Sequence, residues 1–172
     1  MKIIIEGPNN VGKSTLIKKL LERETFKNYE VEHLSNKTPN TSEFHRDLLN
    51  MPQDMIFDRF FIGETVYPHI YDRDPKLTID DILAMCVDFI GNYIIIILDA
   101  DFEFIIQSNK NKSEEFKYDE VLEEKIGFYT TRKILEEHKL PVFFYKNHKD
   151  GEKDYEEFID KIENIVKDME RI

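Results

Sequence analysis

Residues 7–15 read Gly-Pro-Asn-Asn-Val-Gly-Lys-Ser-Thr, so four residues separate Gly7 from Gly12, and Lys13, Ser14 and Thr15 follow at once. The apolar run Lys2–Glu6 before the segment predicts a strand, and Leu16, Ile17, Leu20 and Leu21 after it predict one face of a helix. Strand, glycine loop and helix in that order are the context a Walker A phosphate loop requires. Gly7 and Gly12 allow the turn and the close backbone approach, so that the N–H groups of Asn10, Val11 and Gly12 can point at phosphate oxygens. Lys13 then supplies a point charge for the β- and γ-phosphates, the Ser14 hydroxyl a ligand for Mg²⁺, and Thr15 a hydrogen bond toward the α-phosphate. The loop predicts binding of a nucleoside triphosphate without fixing a reaction.

A second group of polar residues stands at Asp58-Arg59-Phe60, after the apolar run Met55–Phe57. An acid at the carboxyl end of a buried strand lies on the edge where ligands sit in open α/β sheets. Asp99, ending the run Ile94–Leu98, occupies an equivalent place, and spacing alone does not decide which of the two meets a metal-bound water. Arg59 favours Asp58, since a guanidinium there could grip a phosphate with two parallel hydrogen bonds.

The elements that must carry these groups alternate. Strand patterns at Lys2–Glu6, Tyr29–Leu34, Met55–Asp58, Tyr93–Asp99 and Pro141–Tyr145 are separated by helical ones, which predicts an α/β layer sandwich. The unalternating run Ile94–Leu98 requires cover on both faces, as in a central parallel strand. Thr78 and Asp81 form a capping pair for a helix that Gly91 closes, and Tyr155, Phe158, Ile159, Ile162 and Val166 mark a long final helix. Gln107 to Lys117 has no clear period and reads as a loop or frayed segment within otherwise helical sequence.

At 172 residues the chain suits one domain spanning 1–172. Acidic residues outnumber basic ones 35 to 24, for a net charge of −11, which argues against duplex nucleic acid as a partner but permits a small phosphorylated ligand. The longest apolar run falls far short of the ~20 residues of a membrane span. The lone cysteine, Cys86, can form no internal disulfide and fits a cytoplasmic setting.

Ile5 through Leu16, then Asp58-Arg59-Phe60 and the helix expected from Phe61 through Tyr67, resemble thymidylate kinase and the related deoxynucleoside kinases, especially small phage-encoded forms. The resemblance covers nearly the whole chain in order and spacing. It implies a P-loop three-layer sandwich, a five-stranded parallel sheet with helices on both faces, in which the strand ending at Asp58 lies beside the P-loop strand. It also implies transfer of the γ-phosphoryl group of Mg·ATP to a deoxynucleoside monophosphate, dTMP first. In such enzymes the aspartate acts near the metal and the acceptor oxygen, and the arginine binds the acceptor phosphate, roles that fall on Asp58 and Arg59. Phe44 would stack on the base and Arg46 hold its phosphate, although Phe44 is equally at home in a core. Glu64, Tyr67 and Arg73 would line the sugar side, the first two sharing a helix face.

The pattern departs from these kinases in one respect. Asn9 and Asn10 stand in the P-loop and no arginine occurs in Gln107–Lys117, the lid equivalent, so either the lid works with Lys110, Lys112 or Lys117 or the transferring phosphate is served mainly by Lys13 and Arg59. Other readings are a deoxynucleoside kinase, a kinase of hydroxymethylated bases in DNA, and a nucleotide-binding module without turnover. A homodimer is admitted, and the five histidines show no metal-binding spacing.

Overall fold

Strands that are apolar on both sides need two covers, and the intervening helices provide them. The computed structural model describes residues 1–35, 37–110, 117–148 and 152–171, the side chains at 109, 110, 152 and 153 excepted. Strands β1 (Lys2–Glu6), β2 (Glu30–His33), β3 (Met55–Asp58), β4 (Tyr93–Ala100) and β5 (Val142–Asn147) form one parallel sheet in the order β2-β3-β1-β4-β5. Ile5 of β1 pairs with Asp58 on one side and Ile96 on the other, which brings the carboxyl ends of β1 and β3 level. The strand ending at Asp58 thus lies beside the P-loop strand, as the resemblance implies. All four residues of β2, Glu30-Val31-Glu32-His33, are exposed, as suits a short edge strand.

The helices are α1 (Lys13–Leu21), α2 (Ser42–Asn50), α3 (Tyr67–Ile70), α4 (Ile79–Asp88), α5 (Phe102–Lys110), α6 (Tyr118–Glu137) and α7 (Glu152–Met169). Side chains alternate along a strand, so Ile3, Ile5, Ile94 and Ile96 meet Leu16, Leu20, Phe158 and Ile162 of α1 and α7 in one core. Ile4, Phe57, Ile95 and Ile97 face the opposite core with Leu49 of α2, Ile82 and Met85 of α4 and Phe128 of α6. The result is the three-layer sandwich with helices on both faces.

Local signals hold where they are strongest. Thr78 Oγ1 accepts from Asp81 N at 3.2 Å and Asp81 Oδ2 from Thr78 N at 2.9 Å, the reciprocal box expected at the start of α4. Two elements differ from expectation. The helix expected over Phe61–Tyr67 is instead a 3₁₀ turn, Ile62–Thr65, followed by α3. Thr65 Oγ1 donates to Ile62 O at 2.8 Å, and Pro68 has no N–H to continue the ladder from the turn. Of Gln107–Lys117, residues 107–110 continue α5 and Lys117 caps α6, while 111–116 lie outside the described residues.

His45 of α2 is fully buried, with the rings of Phe44, Phe60 and Phe61 within 5.8 Å of its own. Neither ring nitrogen has a hydrogen-bond partner among the described residues, and burial pushes the imidazole down to about 4. As pH falls through about 6.5 the unfolded chain binds this proton while the folded one does not, so stability is lost until about pH 4. The loss from this group is about 3 kcal/mol over that window. His45→Leu, close in volume, should remove it. Urea unfolding from pH 7.5 to 4 should show the variant gaining on the parent as pH falls. A difference that does not change with pH would mean that the imidazole is not held neutral.

Candidate functional site

The loop after β1 turns at Gly7, whose φ is +139°. A Cβ there would lie 2.2 Å from the Leu98 carbonyl oxygen of β4, so only glycine lets the loop pass the sheet. Gly12 at φ +97° and Asn10 at φ +62° complete the curl that opens α1. Asn147, ending β5, donates through Nδ2 to Val11 O at 2.5 Å and braces the loop from behind. Lys13 folds over its own loop, Nζ donating to Gly7 O at 2.8 Å and Pro8 O at 2.6 Å. Burial, with Arg59 nearby, lowers its ammonium to about 8.

A cavity of about 480 Å³ opens in front of this loop. Asn10, Gly12, Lys13, Ser14 and Thr15 line one wall, and His33, Asp58, Arg59 and Ser108 also line it. Asp58 Oδ2 lies 2.9 Å from His33 Nδ1. Asp99 is engaged elsewhere, by Lys125 Nζ, which also donates to Ala100 O at 2.6 Å. Of the two candidate acids, Asp58 is the one that lines the phosphate-loop cavity. The Ser14 hydroxyl and the Asp58 carboxylate supply oxygen ligands of the kind Mg²⁺ takes while keeping several waters.

Arg59 sits where β3 ends, with φ +67°, a backbone conformation that costs a non-glycine residue roughly 1–2 kcal/mol. Its N–H donates to Ile5 O at 3.0 Å, and the turn carries its guanidinium across the end of β1 to within 5.6 Å of the Tyr67 ring centre. Glu6, the last residue of β1, is fully buried and holds the next stretch. Its Oε1 accepts from Phe60 N at 2.7 Å and Gly63 N at 3.2 Å. Burial raises its carboxyl, opposed by the Phe60 N–H and the charge of Lys13.

Beyond Arg59 lies a second cavity of about 300 Å³. Phe60, Tyr67 and Tyr71 give it aromatic walls, and Asn40, Glu64 and Arg73 give it polar ones. Glu64 is buried, and burial alone would push its carboxyl up. Arg73, donating to both of its oxygens at 3.0 and 2.7 Å, and Lys76 N outweigh that and hold it below the usual range. Asn40 Nδ2 also donates to Glu64 Oε1, at 3.3 Å. Tyr67 OH lies 3.4 Å from Gly7 O, which ties this cavity to the loop of the first.

The structure therefore brings together Lys13, Ser14, Thr15, Asp58 and Arg59 in one cavity and Arg59, Glu64, Tyr67 and Arg73 in the other. It does not bring in Phe44 and Arg46. Burial of His45 and Leu49 fixes the inner face of α2, and Arg46 turns toward α4, donating to Asp88 Oδ2 at 2.6 Å. Phe44 packs against the core beside His45. Lys110 ends α5 with its side chain outside the described set, and Lys112 lies outside the described residues. Sequence reasoning missed His33, which ends a strand at the same sheet edge as Asp58 and could have been found by that rule. It also missed Asn40, for which no local signal exists.

No protein-family model and no curated protein matches the sequence. Solved structures do. YorR protein from Bacillus subtilis, in complex with phosphorylated GDP, superposes with a TM-score of 0.75 at 19% identity over 97% of this chain and 96% of that one. Deoxyadenosine kinase from M. mycoides with bound dATP gives 0.55 at 20% identity over 97% and 99%. A gluconokinase from Sinorhizobium meliloti gives 0.55 at 9% identity over 98% and 94%. These likenesses establish the fold as one that P-loop kinases use.

The approach of α6 to the site depends on Gly127. A Cβ there would lie 2.7 Å from Val66 Cγ1, and Val66 is β-branched and stiff. Gly127→Ala should therefore destabilise by about 1–3 kcal/mol, although alanine is the better helix former by about 1 kcal/mol. In a Val66→Ala background the same change should be neutral or stabilising, which thermal melts of the four proteins would read. Equal effects in both backgrounds would mean that α6 is not seated on Val66.

Proposed function

We propose that the protein transfers the γ-phosphoryl group of Mg·ATP to a deoxynucleoside monophosphate, with dTMP first among acceptors. One observation carries the reading: a phosphate-loop cavity and an aromatic-walled cavity share a single guanidinium, that of Arg59. In this reading the loop N–H groups and Lys13 would bind the triphosphate. Ser14 and Asp58 hold Mg²⁺, which when bound neutralises phosphate charge. The acceptor base lies among Phe60, Tyr67 and Tyr71, with Glu64, Arg73 and Asn40 at its polar rim. Arg59 grips the acceptor phosphate and keeps it against the donor. Positioning and charge stabilisation of this kind are what phosphoryl transfer asks of a protein.

A second reading, a deoxynucleoside kinase, is favoured by the pairing of Arg46 with Asp88 and of Arg73 with Glu64. Those pairs leave Arg59 as the arginine shared with the donor site. In that case Asp58, beside Arg59, is the candidate base for the acceptor hydroxyl. Incubation with Mg·ATP and a panel of deoxynucleosides and their monophosphates, read as ADP formed, separates the two. Transfer to dTMP supports the first reading, transfer to nucleosides alone the second, and transfer to neither removes both. Lys13→Ala should lower kcat about a hundredfold or more with the fold intact. Arg59→Lys, which loses the planar fork, should lower kcat/KM for the acceptor about tenfold. Unchanged kinetics in Arg59→Lys would take Arg59 out of the site.

A further inference from the structure

Asn9 lies in the phosphate loop between a buried acid, Glu124, and a half-buried arginine, Arg59. Its backbone N–H donates to Glu124 Oε2 at 2.6 Å and its Nδ2 to Glu124 Oε1 at 2.6 Å, while its Oδ1 accepts from Arg59 Nη2. An amide has a donor end and an acceptor end. Turned round, this one would set N–H groups against the guanidinium and its oxygen against the carboxylate, both repulsive. Glu124 is 2% exposed and comes from α6, 115 residues away in the chain.

Arg59 needs such a guide. Its backbone is strained at φ +67°, and its Nε is buried with no partner among the described residues. The bond to Asn9 Oδ1 sets the direction of its fork, and Glu124 sets the direction of Asn9. We propose that Glu124 is a positioning residue, which holds the Asn9 amide in one orientation and thereby aims Arg59 at the boundary between the two cavities. The inference deepens the phosphoryl-transfer reading and rests on it for its kinetic consequence. A mere brace between α6 and the loop would need two hydrogen bonds but not this polarity.

Polarity can be tested by exchange. Glu124→Gln keeps the shape but puts a donor opposite the Asn9 amide, and Asn9→Asp puts an acceptor opposite Glu124. Each single change spoils the chain of donors and acceptors. In Glu124→Gln/Asn9→Asp the new amide at 124 donates to the new carboxylate at 9, whose other oxygen still accepts from Arg59, and the parent's net charge is kept. Each single variant should lose about tenfold or more in kcat with the phosphate acceptor, a cost typical of a misaimed group. The double variant should recover to within about threefold of the parent, the coupling expected of directly bonded neighbours. The Arg59 Nε–H resonance in ¹⁵N spectra, identified by its loss in Arg59→Lys, should shift or broaden in Glu124→Gln and return in the double variant.

An Arg59 resonance unmoved by Glu124→Gln overturns the proposal. So does a double variant no better than the worse single one in both spectrum and melting temperature, which would identify a brace only. A parent protein that phosphorylates nothing, yet whose Arg59 resonance follows the expected pattern, removes the kinase reading and leaves the positioning role standing.

Discussion

A buried carboxylate at the end of a central strand must be compensated, and Glu6 is compensated by the pieces that build the site. Its Oε1 takes the Phe60 and Gly63 N–H groups, and its charge lies beside Lys13 and Arg59. Taking any of these away would strand a charge in the interior, where leaving one uncompensated costs several kcal/mol. The residue after Arg59 and the 3₁₀ turn behind the aromatic cavity are thereby hydrogen-bonded to the one atom Oε1, while Oε2 has no hydrogen-bond partner among the described residues and meets Lys13 and Arg59 only through their charge. Register does the rest, since the pairing of Ile5 with Asp58 sets the two strand ends side by side.

How far this could be read from sequence depended on whether the signal was local. The strands, the capping box of α4 and the glycine loop are written in consecutive residues, and the sheet order followed from a resemblance carried by two short motifs. Asp58 and Arg59 were legible because position at a strand end is itself a local property. The acceptor side was harder. On α2 the inner face was a choice among neighbours one position apart, and full burial of His45, with Phe44 packed against the core beside it, leaves Arg46 turned toward Asp88. An imidazole without hydrogen-bond partners is a poor occupant for an aromatic core, so pattern reading had no reason to prefer it. Glu124 looks like any acid on the outside of a charged helix, and only the tertiary approach of α6 makes it an interior group.

Two cations and three acids share the site. Lys13 and Arg59 stand among Glu6, Asp58 and Glu124, which gathers two cations at one point of a chain whose net charge is −11. Glycine works in the same direction at two distant points, at Gly7 by letting the loop pass Leu98 and at Gly127 by letting α6 settle on Val66. At Gly7 the neighbour is backbone and at Gly127 an apolar side chain, and in both places a Cβ would have kept the elements apart.

The bonds from Lys13 to the Gly7 and Pro8 carbonyls have a consequence for the energetics of ligand entry. Two of the ammonium's three N–H donors are held by these carbonyls, which fixes the side chain over the loop and leaves one donor to a phosphate without any exchange. What the arrangement preserves is entropy, because the loop is held in its curled form beforehand and the ligand need not order it.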